Sequence, residues 1–157
     1  MQTLSELFIA SKGAPIEVNG AQVVSMYTKI VETGQAIDVH FEEVAASPPQ
    51  GLRIKVKGGS ILINAQELAE VVLWKETAPP QFAFQCIKRG KAKEIELRVW
   101  NCWLDEKGVS QAWIGNAGMI VQEEPGRVTL RCSPGRGPFD PNSMVVSLHF
   151  SSTNGHA

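Results

Sequence analysis

The sequence carries no motif that names a reaction. None of its serines lies in a Gly-x-Ser-x-Gly setting, and no glycine-rich turn has the spacing that cradles a phosphate. Cysteine is scarce: Cys86, Cys102 and Cys132 form no close pair, which excludes a zinc knuckle and a thioredoxin-type redox pair. Each sits in an apolar run (Phe-Gln-Cys-Ile, Trp-Asn-Cys-Trp, Leu-Arg-Cys-Ser), so all three are expected to be small buried hydrophobes in a reducing compartment rather than reactive thiols. Long apolar stretches are missing, since none approaches the roughly 18 residues of a membrane span. The opening Met1-Gln-Thr-Leu-Ser-Glu-Leu-Phe has no basic segment ahead of an apolar one, so a soluble cytoplasmic chain without a secretory signal is expected. Excess charge of one sign is missing too: 15 basic against 16 acidic residues leave no global field to attract nucleic acid or an anionic membrane. Neither is an expected partner, and no cofactor is implied.

What is present is an ordinary globular composition, 43% hydrophobic and 20% charged in 157 residues, enough for one core without disulfide or metal staples. A single β-rich domain over residues 1–150 is expected, with 151–157, small and polar, as a disordered tail. Thr3 with Glu6 three residues later reads as a capping box for a short helix whose Leu4, Leu7 and Phe8 share a face, and Gly13 suits its end. Ile16-Glu-Val18 before Asn19-Gly20 is a hairpin signal, because both positions of a type I′ turn need positive φ. From Val23 to Val31 the apolar spacing fits a helix about as well as a strand, although the β-branched content favours strand.

From Ile37 onward the period is two. Ile37, Val39 and Phe41 alternate with Asp38, His40 and Glu42; Leu52, Ile54 and Val56 alternate with Arg53, Lys55 and Lys57, and Gly58-Gly59 then reads as a hairpin turn into Ile61-Leu-Ile63. Asn64 to Glu67 has the composition of a single capped helical turn, Val71 to Trp74 of a strand, and Thr77-Ala-Pro79-Pro80 of a loop. Further strands follow at Phe82 to Cys86, Ile95 to Leu104, Met119 to Val121, Val128 to Cys132 and Met144 to Phe150, with Val109 to Ile114 pairing back through the Asp105 to Gly108 turn. Nine to eleven strands with close, regular turns imply an antiparallel sandwich or barrel. A faint echo recurs at a spacing of forty-five residues, where Ile16, Val18, Asn19, Val23, Ile37, Val39 and Phe41 answer to Ile61, Ile63, Asn64, Leu68, Phe82, Phe84 and Cys86.

Four tryptophans, Trp74, Trp100, Trp103 and Trp113, fall in one forty-residue stretch. Indoles serve as core anchors and as interface hot spots, and the core role is the commoner one. On one strand Trp100 and Trp103 point to opposite faces, so both faces of that end are apolar and are either covered or open to a ligand. Asp38, His40 and Glu42 line one strand face about 7 Å apart, which a solvated surface explains without further assumption and which also suits a metal or general-base site. His149 points away from the core residues of its own strand, and His156 lies in the tail. The rows Arg53, Lys55, Lys57 and Arg127, Arg131 are expected to guard edge strands against aggregation. The Arg136 to Asn142 segment, including Asp140, is long for a connection in a compact β fold, which suits a functional loop and equally a well-packed crossover.

Three functions follow as expectations. The leading one is non-catalytic binding of a protein partner, in the manner of an antitoxin or immunity protein, through Trp74, Trp100, Trp103, Trp113 and Met119. The second is a small apolar or sugar ligand stacked on the same indoles. The third is a metal-dependent hydrolase built on Asp38, His40 and Glu42, with Asp140 brought near by the fold.

Overall fold

The computed structural model describes residues 2–79 and 81–151. Met1, Pro80 and 152–157, and with them His156 and nearly all of the expected tail, lie outside the described residues. The helix α1 (Leu4–Ala10) carries the full capping box, with the Thr3 hydroxyl accepting from the Glu6 N–H at 3.3 Å. Gly13, at φ 84°, donates its N–H to the Phe8 carbonyl at 2.9 Å and ends it.

Strands follow in chain order: β1 (Ile16–Val18), β2 (Ala21–Val23), β3 (Tyr27–Val31), β4 (Ala36–Val44), β5 (Gln50–Lys57), β6 (Gly59–Ile63) and β7 (Gln66–Leu68). They continue with β8 (Glu70–Trp74), β9 (Gln81–Lys88), β10 (Ile95–Leu104), β11 (Ser110–Gln111), β12 (Gly118–Glu124), β13 (Arg127–Ser133) and β14 (Met144–Phe150). All pairings are antiparallel. One sheet has the order β12-β13-β14-β4-β9-β6-β7. In the second, β8, β5 and β10 are neighbours, and the far flank of β10 is shared by β3 along Ile95 to Val99 and by β11 at Trp103 and Leu104, while β1 and β2 form a separate two-stranded sheet. The two inner faces close on a common core: Ile37, Val39, Cys86, Leu130 and Leu148 from the first sheet, and Leu52, Ile54, Leu97 and Val99 from the second, are at most 1% exposed. Each such aliphatic burial contributes about 1.5–3 kcal/mol. Of the two expected architectures, antiparallel sandwich and barrel, this is the sandwich. Its strands number fourteen among the described residues rather than nine to eleven, because β1, β2, β7 and β11 are pieces of two or three residues, too short to show a period.

Several local expectations are corrected. The Leu52 to Val56 and Ile61 to Ile63 runs are not a hairpin, since β5 pairs with β10 and β8 whereas β6 pairs with β9 and β7 in the opposite sheet. Gly58, at φ 87° and with its Cα against the Glu94 carbonyl, lets the chain cross between layers where a side chain has no room. Asn64 and Ala65 hold φ 48° and 66°, so this segment is a turn closing β6 on β7 rather than a helical turn. The ambiguous Val23 to Val31 stretch contains the end of β2 and all of β3, with no helix. The basic rows are not on edges: β5 lies between β8 and β10, where Arg53 pairs with Glu70 and Lys57 sits opposite Glu96, and β13 lies between β12 and β14.

The forty-five-residue echo is a structural repeat. β1 to β5 are reproduced by β6 to β10, and each hairpin matches its counterpart in register: Ile16 faces Val23 as Ile61 faces Leu68. The repeats meet strand to like strand, β4 on β9 and β5 on β10. Equivalent residues stand opposite each other at Asp38 and Ala83 in one sheet and at Ile54 and Val99 in the other, as an approximate two-fold axis normal to the sheets requires.

Candidate functional site

The tryptophans divide sharply. In β10 the residues Leu97, Val99 and Asn101 face inward, the Asn101 amide donating to the Ser133 carbonyl of the opposite sheet at 2.8 Å. Trp103 continues that face and is 2% exposed, sealed by Gly135, whose Cα rests on the indole where no Cβ fits. Trp100 alternates to the outer face yet is only 5% exposed, because the ring of Trp113 lies over it with centroids 4.8 Å apart and planes 30° off parallel. Trp74 lies on the outer face of the same sheet, across Gly51, and is half-buried. Met119 is fully buried in the common core.

Trp113 is the accessible indole, 46% exposed, and its backbone is unusual. It holds φ 61°, a left-handed conformation that costs a non-glycine residue about 1–2 kcal/mol. Stacking on Trp100 contributes about 0.5–1.5 kcal/mol. A hydrogen bond from its indole N–H to the Ser25 carbonyl, 2.9 Å long, contributes about 1 kcal/mol more. These terms offset the strain and fix the ring in one pose. Val109 and Ile114 of the same loop are 52% and 51% exposed. The loop itself is anchored by Asp105, whose carboxylate accepts from the Val109 and Lys107 N–H groups at 2.9 Å and from the Gln111 amide at 3.0 Å. The Val109 N–H leads in holding its pKa below the ordinary carboxylate value. A surface hollow of about 430 Å³ opens beside Ile114, walled by Trp103, Glu106, Lys107, Gly135 and Arg136, with Arg136 paired to Glu106 at 2.9 Å. The Val109 to Ile114 run, expected as a hairpin strand, is strand only at Ser110–Gln111; Arg136 begins the long connection that the sequence marks out, whereas Val109 and Ile114 carry no site signal of their own.

On the outer face of the other sheet, β4 and β14 bring His40 and Glu42 together with His149, their ligand-capable atoms all within 4.8 Å of one another. Asp38, expected in this group, stands opposite His149 in register but is not one of the three that converge, and Asp140 lies in the loop after β13 with its N–H on Ser133. The two imidazole centroids are 4.5 Å apart. Ser147, fully buried, ties the carboxylate to a ring, with its hydroxyl 2.6 Å from Glu42 Oε1 and 3.1 Å from His149 Nε2. A hydroxyl has one hydrogen and a carboxylate can only accept it, so the serine oxygen receives the imidazole N–H. Glu42 is the extra residue of a β-bulge: Phe41 and Glu43 pair with Val146 and Val145 in turn, leaving it out of the ladder.

The thiols are free and buried. Burial raises Cys86 to about 12 and Cys102 to about 11 and pushes Cys132 up as well, so none is a nucleophile near neutrality. Among the described residues no helix is long and apolar enough to cross a membrane. No family model matches the chain, and neither does any curated protein or any solved structure.

Proposed function

We propose that the chain is a non-catalytic binding module that engages a protein partner through the Val109 to Ile114 loop and the adjoining hollow. The observation that carries this reading is Trp113, a half-exposed indole held in a strained backbone conformation by a stack and a hydrogen bond. Strain of this kind collects at ligand clamps, where a preset side chain saves the entropy of ordering it on contact. Val109 and Ile114 extend the apolar centre, and Glu106, Lys107 and Arg136 supply the charged rim expected of a protein interface. A protein fits better than a sugar as occupant because one face of Trp113 is taken by Trp100, and the neighbouring exposed side chains, Val109 and Ile114, are aliphatic. Three free, buried cysteines suit a reducing compartment, and the cytoplasm is the proposed location.

The test is retention of a partner from source-cell extract by immobilised chain and by Trp113→Ala and Ile114→Ser variants, with circular dichroism to check the fold. One protein held by the wild type and lost by both variants, then rebound in purified form with the same preference, supports the reading. Equal retention by all three chains sinks it. A partnerless chain that binds an arrayed glycan through Trp113 would move the assignment to carbohydrate.

A further inference from the structure

We propose a second site, independent of the tryptophan loop: His40, Glu42 and His149 form a three-ligand site for one divalent transition-metal ion of the Zn²⁺ class. Two imidazoles and a carboxylate are the donor set that borderline cations prefer over oxygen-only cations such as Mg²⁺ and Ca²⁺. The ligands come from two strands adjacent in the sheet, which fixes their Cα positions through the β4 and β14 ladder. Donor atoms within 4.8 Å need to close to about 3.4 Å for tetrahedral bonds of about 2.1 Å. His40 and His149 are half-exposed and Glu42 is exposed, which leaves their side chains room to turn towards a shared ion. The bulge frees Glu42 from the ladder, and buried Ser147 orients both the carboxylate and the His149 ring, the task an outer-sphere hydroxyl performs around a bound metal. Arg127 stands opposite His149 in register, and Asp38 and, beyond Arg127, Glu124 occupy the neighbouring register positions. Three ligands leave at least one coordination position for water or a ligand, because the cluster faces outward from the sheet.

Isothermal titration of ZnCl₂ into the chelator-treated full chain tests this. One ion binds per chain, His40→Ala and His149→Ala each weaken it at least tenfold, and Glu42→Gln weakens it less. His156→Ala, the remaining histidine variant, leaves it unchanged. Absence of binding, or binding that survives both ligand-histidine variants, overturns the proposal, as does a site that needs His156. His40→Gln and His149→Gln, checked by circular dichroism and thermal melting, keep the test valid if an alanine variant fails to fold. A visible absorption band of Co²⁺ bound to the wild type, absent in His149→Gln, reports the ligand set directly.

Discussion

The two halves of the repeat share a strand plan but treat their first hairpin differently. In the second repeat β6–β7 stays on the sheet, with β6 paired to β9. In the first repeat the matching flank of β4 is taken by β14, and Val146 faces Phe41 where Ile61 faces Cys86. The displaced β1–β2 hairpin joins α1 in a satellite core of Leu4, Phe8 and Val23, against which Ile16, Val18, Ile120 and Phe139 pack. The residues at the junction account for part of the difference. The second hairpin is pinned to the end of β9 by Glu67, which accepts from Arg89 at 2.7 Å and from Ser60 at 2.6 Å. The equivalent positions in the first repeat are Gln22, Val44 and Pro15, which supply no ion pair. The first hairpin has no such pin, and the flank of β4 that it leaves is occupied by β14. The ladder between β4 and β14 is what brings His149 beside His40 and Glu42.

The comparison is sharpened most by Leu148→Ala in the substituting strand. This side chain is fully buried between the sheets, and its truncation is expected to cost about 2–5 kcal/mol, read as a lowered midpoint in urea unfolding with the slope retained. Phe8→Ala strikes the displaced element instead. Hydrogen exchange should show lost protection in α1, β1 and β2 while β4, β9 and β14 stay protected, with a global loss below about 3 kcal/mol; equal loss everywhere would show that the satellite is no separate unit. The smallest effect belongs to the pin. Hydrogen bonds from Arg89 and then Ser60 hold Glu67 near 2, below its ordinary 4.5, so its contribution is complete above about pH 4.5 and lost as pH falls through about 2. The stability difference between wild type and Glu67→Gln should therefore fade across that acidic window, and a difference that persists at pH 2 would remove the pin from the account. Because this pair is solvent-exposed, added salt should diminish it too.

Alternation was enough to read the long strands. Ile37 with Val39, Leu52 with Ile54 and Leu97 with Val99 show the buried face directly, and Asn19-Gly20 shows its turn through the chemistry of positive φ. Gly58-Gly59 misled because two glycines permit a tight turn and a crossing between layers equally well, and only the pairing of β5 with β10, forty residues on, decides between them. The repeat was visible as a faint spacing but its meaning was not, since self-facing at Ile54 and Val99 is a property of register. Of the sites, Trp113 was legible as an aromatic but not as the one left open, because its exposure follows from a left-handed backbone that follows no period. His149 was legible as outward-facing, yet its meeting with His40 needed the strand order.

The self-facing strands carry a further physical consequence. A strand opposite its own equivalent about a two-fold axis is the arrangement found at an isologous interface between identical subunits. Here the Gly58-Gly59 link is a covalent tether joining the halves, which makes their association intramolecular and independent of protein concentration. Concatenation of this kind also releases each half to diverge, so that one half carries the Trp113 loop after β10 and the other the Glu42 bulge in β4, with neither duplicated.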